Sequence, residues 1–135
     1  MERFMVLSNH FPFITSYETD NTVVIKLNRP KSYNALNRLM ITRLRAYLQN
    51  ASNRWLVLIG DENAFSAGGD IIEGHHLNRD LTLLTDPLYT ALFEFYHYEK
   101  LVTIWRGISM GTGLGLTLWG KYRVATSSTV LAFPE

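Results

Sequence analysis

Trp55-Leu56-Val57-Leu58-Ile59-Gly60, followed closely by Ala64-Phe65-Ser66-Ala67-Gly68-Gly69-Asp70-Ile71, is the stretch on which the fold turns. An unbroken apolar run closed by glycine suits a strand buried on both faces of a parallel sheet. A glycine-containing loop follows it, from Asn63 to Asp70. The pattern recurs. Leu101 to Trp105 is a second apolar strand, and Gly107-Ile108-Ser109-Met110-Gly111-Thr112-Gly113-Leu114-Gly115 leads from it into a short helix ending near Gly120. Strands that alternate with helices imply crossover connections, hence a parallel sheet and an α/β fold. Trp55–Ile59 and Leu101–Trp105 are therefore expected to lie side by side.

The flanking sequence extends this plan. Phe13 to Tyr17 and Thr22 to Leu27 read as strands joined by a turn at Asp20-Asn21. Arg29-Pro30 ends the second, because proline cannot continue a ladder. Asn34 suits a helix N-cap, and Leu36, Met40, Ile41, Leu44, Tyr47 and Leu48 then recur on one helical face. Asp86-Pro87 reads as an N-cap followed by proline at the first helical position. The helix it opens turns Leu88, Ala91, Leu92 and Phe95 inward. Tyr122 to Thr126 and Val130 to Phe133 read as two more strands. No repeat, low-complexity stretch or linker interrupts residues 1–135, so they read as one domain. The last residues, Phe133-Pro134-Glu135, follow directly on a strand, from which a longer natural chain is expected.

Composition narrows the function. Apolar residues make up 47% of the chain and charged residues 19%, which is enough apolar material for a core. The net charge is +1 and the basic residues form no run, so nucleic acid is not expected as a partner. There is no cysteine, which removes disulfides, thiolate metal sites and a cysteine nucleophile. No apolar run approaches the roughly 18 residues of a membrane span, so no membrane partner is expected. The opening Met1-Glu2-Arg3-Phe4-Met5-Val6-Leu7 makes a poor secretory signal and lacks the repeated arginines of a transit peptide. His75-His76 does not suggest a metal, since adjacent histidines do not share a helix face. They read as surface-loop residues. Asp61 and Glu62 read as solvated turn residues. Phe93, Phe95, Tyr96 and Tyr98 read as core and packing surface rather than a base-stacking platform.

The chemistry is expected at the two glycine junctions. In open α/β sheets ligands collect at the carboxyl ends of strands. Glycine lets backbone approach a ligand closely, and free N–H groups at a helix start point at negative charge. Two such junctions can set two N–H donors around one oxygen. The same glycines also serve simply to make tight turns, and spacing alone leaves both readings open. A phosphate loop is disfavoured, because neither segment carries the Gly-Lys-Ser/Thr ending.

Four blocks carry a resemblance. Asn28-Arg29-Pro30-Lys31-Ser32-Tyr33-Asn34-Ala35-Leu36 is similar to the opening signature of crotonase-superfamily domains. Ala64 to Ile71 resembles that family's first oxyanion loop, and Gly107 to Gly115 its second. Arg123-Val124-Ala125-Thr126 with Leu131-Ala132-Phe133-Pro134-Glu135 resembles the strand pair before the catalytic loop. The blocks keep the family's order and cover nearly everything from Val23 onward. The resemblance implies a crotonase-like (ClpP/crotonase) fold, seen over its N-terminal half. It implies an acyl-CoA thioester as substrate, whose coenzyme A is part of that substrate, with no separate cofactor and no metal. It implies that the carbonyl oxygen lies between the backbone N–H groups of Gly69 and Thr112, with Glu135 as the catalytic carboxylate. It implies that Gly68, Gly69, Asp70, Ile71, Gly111 and Thr112 contact substrate. Asp70 reads either as a base or, more commonly at such a place, as the cap of the following helix.

Within the family the hydratases use a second glutamate where this chain has Gly115. The 3-hydroxyisobutyryl-CoA hydrolases keep glycine there and resemble the chain most closely. Hydrolysis of a 3-hydroxyacyl-CoA in valine breakdown is therefore the implied activity, with the mitochondrial matrix, or failing that the cytoplasm, as its place and a homo-oligomer left open. An enoyl-CoA hydratase or isomerase, and a truncated non-catalytic assembly partner, are the alternatives. Two positions depart from the pattern. Thr112 replaces the usual glycine, which preserves an N–H and strains the backbone only where φ is positive. Leu88 stands before Tyr89, where the hydrolases carry an acidic residue for the substrate hydroxyl.

Overall fold

A computed structural model of the chain describes residues 5–6, 13–76 and 82–133. Its main sheet has six strands: β1 (Met5–Val6), β2 (Phe13–Glu18), β3 (Thr22–Asn28), β4 (Trp55–Ile59), β6 (Leu101–Trp105) and β8 (Tyr122–Ala125), adjacent in that order. The β1–β2 and β2–β3 pairs are antiparallel. From β3 onward every pair is parallel, with β4 between β3 and β6 and Leu56, Val57 and Leu58 facing Leu101, Val102 and Thr103. The expected neighbours are thus neighbours, and the apolar run at Trp55 is an interior strand. A second, wholly parallel sheet holds β5 (Ala64–Ser66), β7 (Ile108–Met110) and β9 (Val130–Ala132).

Helices cover the main sheet through one continuous core. Helix α1 (Arg38–Gln49) buries Met40, Ile41, Leu44 and Tyr47. Helix α3 (Thr82–His97) buries Leu88, Ala91 and Phe95. These side chains meet Ile14, Ile25, Leu27, Leu56, Leu58 and Leu101 of the sheet. Two short helices start at the glycine junctions: α2 (Ile71–His76) and α4 (Gly111–Thr117). The indole Nε1 of Trp105 donates to Thr117 Oγ1 at 2.9 Å and pins α4 to β6.

The expectations fail in five places. The cap of α1 is Asn37, whose side chain accepts from Met40 N, and Asn34 is instead buried at φ 56°. The segment from Asn63 to Asp70 contains strand β5, too short to announce itself by alternation. Helix α3 begins at Thr82, so Pro87 lies inside it rather than at its first position. Proline's φ is itself helical, and the turn before it survives the loss of one backbone bond. His75 and His76 end a helix rather than lie in a loop, and both are exposed. The aromatic group divides: Phe95 is core, while Phe93 and Tyr96 are exposed.

Candidate active site

The two glycine junctions touch. Met110 caps α4 in an extended conformation, and the left-handed residue of the turn is Gly111 at φ 54°. Thr112 is absent from the positive-φ positions, so its branched side chain sits on unstrained helical backbone. In the first junction Gly68 has φ 108°. A methyl placed on Gly68 would come within 3.7 Å of Thr112 N, and one on Gly69 within 3.6 Å of Thr112 Oγ1. At the base of the junctions Gly113 is packed so tightly on Ser66 that a methyl there would meet Ser66 Oγ at 2.4 Å.

The segment before α1 fixes the first junction as a strap. Leu36 N donates to Gly68 O at 2.7 Å, and Asp70 N donates to Leu36 O at 2.9 Å. These bonds form a parallel bridge between Leu36 and Gly69. Because the strap uses the groups on either side of Gly69, the N–H of Gly69 itself faces away from it. Thr112 is the second residue of α4, too near its start to have an intrahelical acceptor. Neither N–H has an acceptor among the described residues. Asn34 ties the strap further: Oδ1 accepts from Arg29 N at 2.7 Å and Nδ2 donates to Ala64 O at 3.0 Å. Ser66 Oγ donates to Asn34 O at 2.9 Å, and Ala67 N donates to Tyr33 O at 2.8 Å.

Gly68, Gly69, Asp70, Ile71, Gly111 and Thr112 all line one pocket of about 340 Å³. Ala67, Gly74, Thr85 and Leu88 complete its described wall. Every substrate-contact residue expected from the sequence, Glu135 excepted, is thus brought together; Glu135 lies outside the described residues. Asp70 takes its capping role, accepting from Glu73 N at 3.1 Å, and its other oxygen accepts from Arg29 Nη1 at 2.7 Å. Burial pushes the Asp70 carboxyl up, but the Glu73 N–H, the Arg29 hydrogen bond and charge, and the Ile72 N–H outweigh it. The carboxyl is held below its ordinary range, which suits a fixed anion rather than a base near neutral pH. Asp61, expected as a solvated turn residue, accepts from the backbone of Asn63 and Ala64 and so shapes the entry to β5.

Three features escaped the sequence reading. The Arg29–Asp70 pair spans 41 positions, and no local spacing announces it. Gly74 reaches the pocket from α2, and Thr85 from a part of α3 that lies ahead of the start expected at Pro87. The Thr112 hydroxyl oxygen is buried and has no hydrogen-bond partner among the described residues.

A mainly parallel sheet with two glycine junctions meeting at one pocket is the crotonase arrangement. The structure superimposes on that of Pseudomonas aeruginosa AtuE with a TM-score of 0.81 at 29% identity, over 91% of this chain and 51% of that one. The enoyl-CoA hydratase/isomerase family profile matches residues 22–135, and the chain belongs to that family. It is 38% identical over 128 residues to a probable 3-hydroxyisobutyryl-CoA hydrolase 3 of Arabidopsis thaliana, covering 87% of this chain and 34% of the relative. It is 35% identical over 164 residues to the mitochondrial 3-hydroxyisobutyryl-CoA hydrolase of Dictyostelium discoideum, covering 100% of this chain and 43% of the relative. At 30% identity over 150 residues it is also similar to the small ribosomal subunit protein mS47 of Arabidopsis thaliana, with 98% of this chain and 37% of that protein covered. The chain thus spans well under half the length of these curated relatives.

Proposed function

We propose that the complete protein hydrolyses a 3-hydroxyacyl-CoA thioester, with 3-hydroxyisobutyryl-CoA as the substrate to try first. The observation that carries this reading is the meeting of Gly69 and Thr112 at one pocket, each with an N–H free of any described acceptor. In the proposed reaction a water oxygen attacks the thioester carbon. The carbonyl electron pair moves onto oxygen, where the Gly69 and Thr112 N–H groups receive it. Collapse of that intermediate expels the CoA sulfur, which takes up the proton removed from the attacking water and leaves as the thiol, and frees the carboxylic acid. A preorganised donor of this kind contributes roughly 2.7–4 kcal/mol. Glu135 takes the proton from the attacking water, working with a second carboxylate that the family resemblance puts further along the natural chain. The similarity to the two hydrolases supports hydrolysis, and the mitochondrial name of one supports the mitochondrial matrix as the place.

The complete protein should release free thiol from 3-hydroxyisobutyryl-CoA, and Glu135→Gln should remove about 99% of that activity or more, since the amide keeps shape and loses proton transfer. Water addition to an enoyl-CoA without thiol release would identify a hydratase instead, and a double-bond shift an isomerase. Similarity to mS47 favours a second reading, a non-catalytic assembly partner. Binding of CoA thioesters with no transformation of any, together with co-purification with ribosomal particles, would establish that reading in place of the first.

A further inference from the structure

Arg29 has no chemical task in the reading so far, yet it joins the pocket wall at Asp70 to the strap at Ala35 and to Phe13 of β2. Its Nη1 donates to Asp70 Oδ2 at 2.7 Å and to Ala35 O at 3.0 Å. Its guanidinium carbon lies 5.3 Å from the centroid of the Phe13 ring. The Asp70 side chain is 9% exposed, so water screens its charge poorly. Asp70 is also the residue after Gly69 and lines the same pocket. A bare carboxylate there would repel the negative charge that gathers on the thioester oxygen. The carboxylate is nonetheless useful, because it caps α2 through Glu73 N. The site therefore keeps an anion it needs for structure beside an oxygen that must become negative.

We propose that Arg29 is a positioning residue with a second, electrostatic duty. It locks the Gly68-Gly69-Asp70 turn to the strap at Ala35, and it shields the developing oxyanion from the Asp70 carboxylate. This rests on the reading that Gly69 and Thr112 hold the thioester oxygen. Shielding and bracing make opposite statements about a double variant. If Arg29 only braces the loop, removing Asp70 as well cannot restore what Arg29→Met loses. If Arg29 shields, then Asp70→Asn removes the charge that needed shielding, and the double variant recovers.

The test uses the complete protein and two readouts. One is steady-state thiol release. The other is the carbonyl stretching frequency of a carbon-13-labelled acyl-CoA bound to the protein in a Glu135→Gln background, which reports carbonyl polarisation whether or not hydrolysis follows. Arg29→Met should lower kcat about tenfold or more while KM stays within about threefold, the pattern of a group that acts on the transition state. The stretch should move toward the frequency of the free thioester. Arg29→Met/Asp70→Asn should recover kcat to within a few-fold of Asp70→Asn alone, and the stretch should return with it. If Arg29→Met does not fold, Arg29→Lys decides: a retained charge without the guanidinium fork keeps most of kcat if Arg29 shields and loses it, overturning the proposal, if Arg29 only braces. A double variant as impaired as Arg29→Met, or an Arg29→Met protein with unchanged kcat and stretch, overturns the proposal. A polarised carbonyl without thiol release would end the hydrolase reading while the stretch still judges Arg29. No carbonyl shift on binding to the protein with Arg29 intact would end both.

Discussion

The two glycine junctions line one pocket and are held by different means. The first, around Gly68 and Gly69, is laced to a distant strap by the backbone bonds at Leu36 and Tyr33, and polar side chains reinforce it: Asn34 and Arg29 reach it from the strap, while Asp70 and Ser66 answer from the junction. The second, around Gly111 and Thr112, is fixed by its backbone. Gly107 has φ 73°, Ile108 N donates to Asn63 O at 3.1 Å, and Val130 N donates to Gly107 O at 2.9 Å. No polar side chain of the strap reaches it among the described residues. The difference predicts different failures. The second junction should break when a glycine gains a carbon, the first when a strap side chain loses its polar end.

The largest effect should come from Gly107→Ala. The added carbon would sit 2.1 Å from Asn63 O, a backbone atom that cannot swing aside, at a φ that side chains avoid. A loss of about 4 kcal/mol or more is expected in denaturant melts of the complete protein. Gly113→Ala should be comparably severe, since Ser66 is already committed to Asn34 O. Gly69→Ala is the contrast. Its new carbon would make ordinary contact with Thr112 Oγ1 at 3.6 Å on backbone that is not left-handed, and it should shift stability by less than about 1 kcal/mol. Equal losses at Gly107 and Gly69 would mean that these loops relax too freely for backbone packing to hold them.

The same contrast explains what the sequence disclosed. Glycines and apolar strands act locally, so Trp55–Ile59, Leu101–Trp105 and both junctions were legible, while the meeting of the junctions at one pocket was implied by the family resemblance and not by spacing. The strap was not. Asn34 and Asn37 both precede the periodic face of α1, and Leu36 keeps helical phase with Met40 while in fact bridging to Gly69. Periodicity could not tell which asparagine caps the helix. Nor could it reveal that Arg29 and Asp70 meet, because an ion pair carries no spacing signal. Burial was misleading in a third region. Val124, Val130 and Leu131 read as ordinary strand residues but are 44%, 52% and 47% exposed, for an apolar strand states what it would bury and not what covers it.

Breaking the strap at its centre should be the second-largest effect. Asn34→Ala removes the acceptor for Arg29 N and the donors to Ala64 O and, at 3.3 Å, Asp61 Oδ2. It also leaves alanine in a left-handed conformation that asparagine tolerates better. A half-buried backbone donor and a buried acceptor are orphaned together, so a loss of about 3 kcal/mol is expected. The loss should be accompanied by faster amide exchange at Leu36 and Asp70, whose N–H groups bond across the strap, than at Val130, whose N–H bonds to Gly107 O in the second junction. Uniform acceleration at both junctions would show that the strap holds the whole pocket, and the division of labour drawn above would be wrong.

The smallest effect has the opposite sign. Thr112 Oγ1 is buried without a described partner, and an orphaned hydroxyl opposes folding by about 1–3 kcal/mol relative to an apolar group of the same shape. Thr112→Val keeps the branched outline and the helical backbone, and it preserves the N–H on which the proposed oxyanion contact depends. It should therefore stabilise the complete protein by about 1 kcal/mol, read as a higher denaturant midpoint at constant m-value. Thr112→Gly, which restores the residue usual in the family, also removes the hydroxyl. It adds backbone freedom in a helix, at about 1 kcal/mol, so the two terms should nearly cancel. Valine above wild type and glycine near it is the expected order. If both variants fall below wild type by more than about 1 kcal/mol, the hydroxyl has a partner in the complete protein, and the second junction, like the first, is held by a side chain.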